Sequence, residues 1–137
     1  MKLLYTFLFI LIVKTACCQH IKVVDVEFIQ SGKKTENVNY YILKNDTATK
    51  LSYEQNKLNI PVIFLSNPHC QIVAVYSGMA INFRIETNEF YYIKIKSYRS
   101  GLFKTMYSVN IGSEYDELVK PMPQKKIFKK YTKVNDG

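Results

Sequence analysis

INFRIE, residues Ile81-Asn82-Phe83-Arg84-Ile85-Glu86, alternates apolar and polar side chains without a break. Successive side chains on an extended backbone point to opposite faces, so a period of two describes a strand with one dry and one wet face. A helix would place its apolar residues three and four apart, and this segment does not. Downstream, Tyr91, Ile93 and Ile95 alternate with Tyr92, Lys94 and Lys96. The short break at Asn88-Glu89 predicts a hairpin between these two runs.

The pattern spreads in both directions. After Arg99-Ser100-Gly101 it resumes as Phe103, Thr105, Tyr107, Val109 and Ile111. Upstream, Val24, Val26 and Phe28 alternate with Asp25 and Glu27, and the Ser31-Gly32-Lys33-Lys34 turn follows. Residues 38–44 and 47–53 read as an out-and-back pair about Asn45-Asp46. Residues 60–65 and 71–76 flank Ser66-Asn67-Pro68-His69, where Asn can bond its own backbone and Pro pre-sets φ. Residues 114–119 offer one helical turn at most.

Short β-branched and aromatic runs at this spacing predict an all-β fold. The expected form is an antiparallel two-sheet β-sandwich of about 7–8 strands, immunoglobulin-like or transthyretin-like in architecture, with a small up-and-down β-barrel as the alternative. Its expected core is Val24, Val26, Phe28, Ile42, Ile72, Ala74, Ile81, Phe83, Ile85, Ile93, Ile95, Val109 and Ile111.

The two ends of the chain differ from this body. Lys2 precedes an unbroken apolar run, Leu3 to Val13, that Lys14 closes. A bilayer span takes roughly 20 apolar residues and a signal-peptide core about 7–15, so residues 1–18 read as a signal peptide. Ala16 and Cys18 supply small residues at −3 and −1 for a cut after Cys18; a cut after Ala16 is the second option. Adjacent Cys17 and Cys18 also make either one a lipidation candidate, although Lys14 and Thr15 stand where a lipoprotein motif wants an aliphatic residue.

A single domain over residues 19–119 is expected, followed by a basic and flexible tail over residues 120–137. The mature chain keeps only Cys70, so packing and not disulfides must hold it together. The formal charge of +8 belongs to the ends: residues 19–118 carry eleven basic and ten acidic side chains, while residues 119–137 carry six Lys and one Asp. Frequent Lys, Asn, Ile and Tyr without Trp, together with the signal, point to an exported bacterial protein: periplasmic, secreted, or lipid-anchored at the cell envelope.

No catalytic residue is identified. His69-Cys70 places a base beside a thiol in sequence, but strand neighbours point to opposite faces. There is no nucleophile elbow, P-loop or glycine-rich dinucleotide turn. The carboxylates Glu86 and Glu89, and Glu114, Asp116 and Glu117, sit at turns with no cleft implied between them. A metal reading centres on His20. With a mature N-terminus at Cys18, the amine, two amides and the third-position imidazole suit Cu(II) or Ni(II); with His20 itself as the terminus, its amine and ring would chelate copper beside His69.

The most specific local feature is Lys125-Lys126-Ile127-Phe128-Lys129-Lys130-Tyr131-Thr132-Lys133. Lys125, Lys126, Lys129, Lys130 and Lys133 are candidates for contact with an anionic surface such as lipid phosphates. These readings lead to a non-enzymatic exported module that binds or associates structurally at the envelope, through an envelope protein or an anionic surface. The alternative is a small-ligand or copper carrier using His20. No bound cofactor, nucleic-acid partner or transmembrane helix in the mature chain is expected.

Overall fold

The computed structural model of this chain describes residues 20–65, 70–85, 89–102, 104–112, 116–131 and 133–135. In order along the chain the elements are β1 (Ile21–Gln30), β2 (Lys33–Lys34), β3 (Asn39–Lys44), β4 (Thr47–Glu54), β5 (Lys57–Pro61), α1 (Val62–Leu65), β6 (Cys70–Tyr76), β7 (Met79–Ile85), β8 (Tyr92–Ser100), β9 (Lys104–Ile111), β10 (Asp116–Val119), β11 (Met122–Pro123), α2 (Gln124–Phe128) and β12 (Lys133–Asn135).

Local chemistry sets most of the reversals. Ser31-Gly32, Gln55-Asn56 and Ser77-Gly78 all sit at positive φ. Each dipeptide joins partners in direct register: Gln30 with Lys33, Glu54 with Lys57, and Tyr76 with Met79. Two consecutive positive φ values make the tight turn whose twist matches that of the strands it joins.

Among the described residues, one sheet runs in the order β10-β9-β8-β1-β5-β4-β3-β6-β7-β11, with β2 added to β1 and β12 to β4. It is mixed, because β1 lies parallel to β8 and β12 parallel to β4. The two-sheet antiparallel sandwich is therefore wrong, and so is the up-and-down barrel: this is a single, strongly curled sheet of ten strands forming a half-barrel. The expected hairpin between residues 81–86 and 91–96 is absent as well. β7 pairs with β6 and β11, whereas β8 pairs with β1 and β9, so the chain crosses over between them. Two smaller readings also change. Residues 62–65 form α1 and do not extend β5, and residues 116–119 form a strand. Alternation assigns each side chain a face; it does not say which strand lies alongside, or whether a dry face is covered by a second sheet or by the sheet's own curvature.

Here curvature covers it. All thirteen expected core residues are buried in one cluster, joined by Tyr40, Leu51, Leu58, Ile60, Phe90, Tyr107 and Val119 among others. Phe28 of β1 lies 5.3 Å from Tyr76 of β6 and 5.8 Å from Tyr107 of β9, ring centre to ring centre. Three other strands separate β1 from β6 along the sheet, so the ring contact spans the concave interior. Full burial of side chains such as Phe28 or Ile81 contributes about 1.5–3 kcal/mol each.

Staggered pairing produces the bend. β4 uses residues 47–51 against β3 and residues 52–54 against β5. β1 uses residues 21–25 against β5 and residues 25–29 against β8. Such offsets tilt strands and roll a sheet on itself. A covalent link then fixes the two margins: β10 and β11 are the outermost strands of the path, yet only Lys120-Pro121 separates them. Two intervening residues span at most roughly 11 Å, so the opposite margins must meet at this end.

Polar side chains secure the rims. The Tyr107 hydroxyl donates to Gln30 Oε1 at 2.8 Å, and the Ser31 amide donates to Ser97 Oγ at 2.9 Å. On the outer face of β1, Glu27 pairs with Lys34 at 2.9 Å and accepts from the Tyr92 hydroxyl at 3.2 Å. The Lys34 hydrogen bond holds the Glu27 carboxyl below the usual carboxylate range.

Candidate functional site

The convex side of the sheet is not uniformly wet. Over β3, β4, β6 and β7 it carries Tyr41, Leu43, Ala48, Val73, Val75 and Ala80. These residues form a second apolar layer, of opposite parity to the core, and they need a cover. Helix α2 supplies it. Ile127 is 6% exposed and belongs to this layer, and Met122, Phe128 and Tyr131 pack at its edge. The Phe128 ring meets Tyr41 edge-on at 4.9 Å.

The segment folds locally for identifiable reasons. Pro123 occupies the N-cap position with an extended backbone, φ −55° and ψ 135°. The Gln124 amide donates to the Gly78 carbonyl at 2.9 Å, tying the start of the helix to the β6–β7 turn. At the other end the Lys129 amide donates to Lys125, Lys130 to Ile127, and Tyr131 to Phe128, so the last turn tightens from four-residue to three-residue spacing. β12 then pairs in parallel with the first residues of β4, on an edge that the shorter β5 leaves open.

With Ile127 and Phe128 turned inward, the lysines face water. Lys125, Lys126, Lys129 and Lys130 are all exposed. None of the four forms an ion pair with a described residue. The Lys133 backbone pairs with Thr47, continuing the run beside β4. The structure thus brings four of the five candidate surface lysines onto α2 and the turn that follows it, and sets the backbone of the fifth beside β4. Lys129, whose amide still bonds the Lys125 carbonyl, stands one turn from Lys125 on the same side.

Under this helix lies a cleft of about 250 Å³ lined by Leu43, Gln71, Asn82, Met122, Lys126, Ile127, Lys130 and Tyr131. Sequence reasoning did not single out Gln71 or Asn82, and marked Tyr131 only as an aromatic group within the lysine segment. Asn82 was legible only as a polar, outward position of its strand. The Asn82 Oδ1 atom is buried and has no hydrogen-bond partner. A wider groove of about 640 Å³ lies where the sheet margins meet, between Met79, Tyr98, Met106, Leu118, Lys120 and Pro121. It offers apolar surface with lysines at the rim, and no acid–base pair.

The remaining candidates are scattered. His20 is exposed at the start of β1, where its carbonyl accepts from the Val62 amide at 2.9 Å. His69 lies outside the described residues, as do Cys17 and Cys18. No group of three or more His, Cys, Asp or Glu side chains placed to share a metal ion occurs among the described residues. Cys70 is buried at the start of β6, and burial pushes its thiol up to about 11. Glu86 and Glu114 are likewise outside the described residues. No described helix is long and apolar enough to cross a membrane. Comparison with protein-family models, with curated proteins and with solved structures finds no match to this chain.

Proposed function

We propose that this chain is an exported, non-enzymatic binding module that associates with an anionic surface of the bacterial envelope through the lysines of α2 and of the turn that follows it. The observation that carries the reading is the burial of Ile127 beneath four exposed lysines. A lysine run on a loose tail adapts to many partners weakly. Here the apolar side chains of the same segment anchor it, so the charges are presented together from a rigid scaffold. Each lysine near an anionic leaflet contributes about 1 kcal/mol, and the attraction decays over a Debye length of about 10 Å at 0.1 M salt.

The test is sedimentation with vesicles of phosphatidylglycerol and phosphatidylcholine, compared with vesicles of phosphatidylcholine alone. The four-fold variant K125Q/K126Q/K129Q/K130Q should lose about a thousandfold in partitioning, and the native protein should release as salt rises. Equal partitioning of native and variant chains would refute the reading. Deleting the chain from Pro121 onward is the wrong perturbation, since it strips the cover from Leu43, Val73 and Val75 as well as removing the charges.

A further inference from the structure

We infer that the open edge of β9 takes up an extended peptide segment of a partner protein, one that carries an acidic and an apolar side chain two residues apart. The site uses none of the lysines of the α2 segment, so it stands or falls separately from the surface reading. Every residue of β9 pairs with β8, but only residues 107–110 pair with β10. Beyond that point the chain leaves β9 through Lys120-Pro121 to join β7, and Pro121 has no N–H with which to continue the ladder. Residues 104–106 are therefore held extended by β8 on one side and, among the described residues, have no strand on the other. An unpaired strand edge is a template on which an extended chain can lie and pair its main-chain groups.

The side chains around this edge select the chain that fits. Successive strand residues alternate faces, so Lys104 and Met106 share the outer face, opposite to the buried Tyr107 and Val109. Met106 stands across from Tyr98 in register, and with Leu118 and Pro121 they line the groove of about 640 Å³. Leu118 is 61% exposed and Tyr98 45%, apolar surface left in water beside an open edge. Methionine adapts to side chains of different shape. Every charge on the groove is positive: Lys104 and Lys120 line it, and Arg99 lines an adjoining pocket with Lys104. None of the three forms an ion pair with a described residue. Lysines at an edge oppose pairing between copies of one chain, since each copy would meet the other's positive charge, and they favour an acidic partner. On an incoming strand the residues facing Lys104 and Met106 lie two apart, where a carboxylate and an apolar side chain match them.

The probe is a peptide of Thr-Glu-Thr-Val repeats with blocked ends, titrated into the protein while backbone amide resonances are followed by NMR. A peptide of Thr-Lys-Thr-Val repeats is the charge-reversed control. The expected result is saturable binding of the glutamate peptide, with shifts at the amides of Lys104, Thr105 and Met106. K104E/K120E should weaken that binding about tenfold, the loss expected of two exposed ion pairs. The same variant should take up the lysine peptide, an exchange of preference that a misfolded chain could not show. Backbone methylation separates strand pairing from loose adhesion, because neighbouring amides of an extended chain point to opposite edges. Of two further glutamate peptides, one methylated at its Thr amides and the other at its Glu and Val amides, only one should bind.

Absence of a saturable shift with the glutamate peptide overturns the inference, and so does equal binding of the lysine peptide by the native protein. Binding that K104E/K120E leaves unchanged, or that both methylated peptides retain equally, overturns it as well. Shifts confined to residues 124–131 would place the contact on the α2 segment: they sink the edge site and leave the surface reading standing.

Discussion

Replacing Ile127 with alanine should release α2 while leaving the half-barrel folded. Ile127 is 6% exposed and packs among Tyr41, Leu43, Ala48, Val73, Val75 and Ala80. Buried Ile→Ala changes cost about 2–5 kcal/mol. The lower part of that range applies, about 2–3 kcal/mol, because α2 lies over the sheet as a single layer and the site can collapse from the solvent side. A helix of five residues has no stability of its own, and Phe128 and Tyr131 are only half-buried, so little else holds the segment down.

The loss should therefore appear as local opening and not as global unfolding. Native-state hydrogen exchange followed by NMR reads this directly. The Lys129 and Tyr131 amides, which donate within the α2 turn, and the Gln124 amide, which donates to Gly78, should exchange faster by roughly 30- to 140-fold. Amides in the β1–β8 ladder, such as those around Val26 and Ile93, should change by no more than a few-fold. Uniform acceleration of both sets would show that α2 belongs to the cooperative core. No acceleration at Tyr131 would show that Ile127 is not the anchor.

Three further outcomes are expected. Tyr40→Phe should leave stability unchanged or raise it by up to about 1 kcal/mol, because the Tyr40 hydroxyl is buried without a partner while the Tyr53 hydroxyl donates elsewhere, to Val26 and Asn56; a clear loss in urea denaturation would contradict this. Ser77→Asn should stabilise by roughly 0.5 kcal/mol, since Ser77 (φ 49°) precedes Gly78 in a turn that favours Asn-Gly; a lower Tm would count against that assignment of the turn. For Cys70, burial raises the thiol from 9.0 to about 11, so the neutral form is the one favoured by folding. Its contribution is complete below pH 9 and is lost as the pH climbs towards 11, by roughly 2–3 kcal/mol in all. Cys70→Ala should be less stable at neutral pH yet decline less steeply between pH 9 and 11, and parallel pH–stability curves for the two chains would refute the linkage.

Most strand positions and thirteen of the core residues were legible, because alternation is local and each strand carries its own record; residues 62–65 and 116–119, short and without a full period, were misread. Partnership was not legible. The break at Asn88-Glu89 resembles a hairpin turn, yet β8 lies beside β1 and not beside β7. The lysine segment was visible as charge interleaved with Ile127 and Phe128, but five residues are too few to display a helical period. The apolar layer on the convex face, which gives that helix its place, comes from Tyr41, Leu43, Val73 and Val75. In β3 and β6 both faces are apolar, and a nearly continuous buried run such as Ile72-Val73-Ala74-Val75 carries no sign of which side it serves. The cleft residues Gln71 and Asn82 were invisible for the same reason: a polar residue pointing outward looks solvated until something is known to sit above it.

The parallel pairing of β1 with β8 has a consequence for synthesis. The first strand to emerge finds β2 and β5 early, but its pairing with β8 must wait until well over half of the polypeptide has been made, and β12 returns to lie beside β4. The edge that β1 offers to β8 therefore stays open through most of synthesis, and contacts between remote parts of a sequence form slowly. A nascent chain of this design can close its curled sheet only once β8, β9 and β10 have been made.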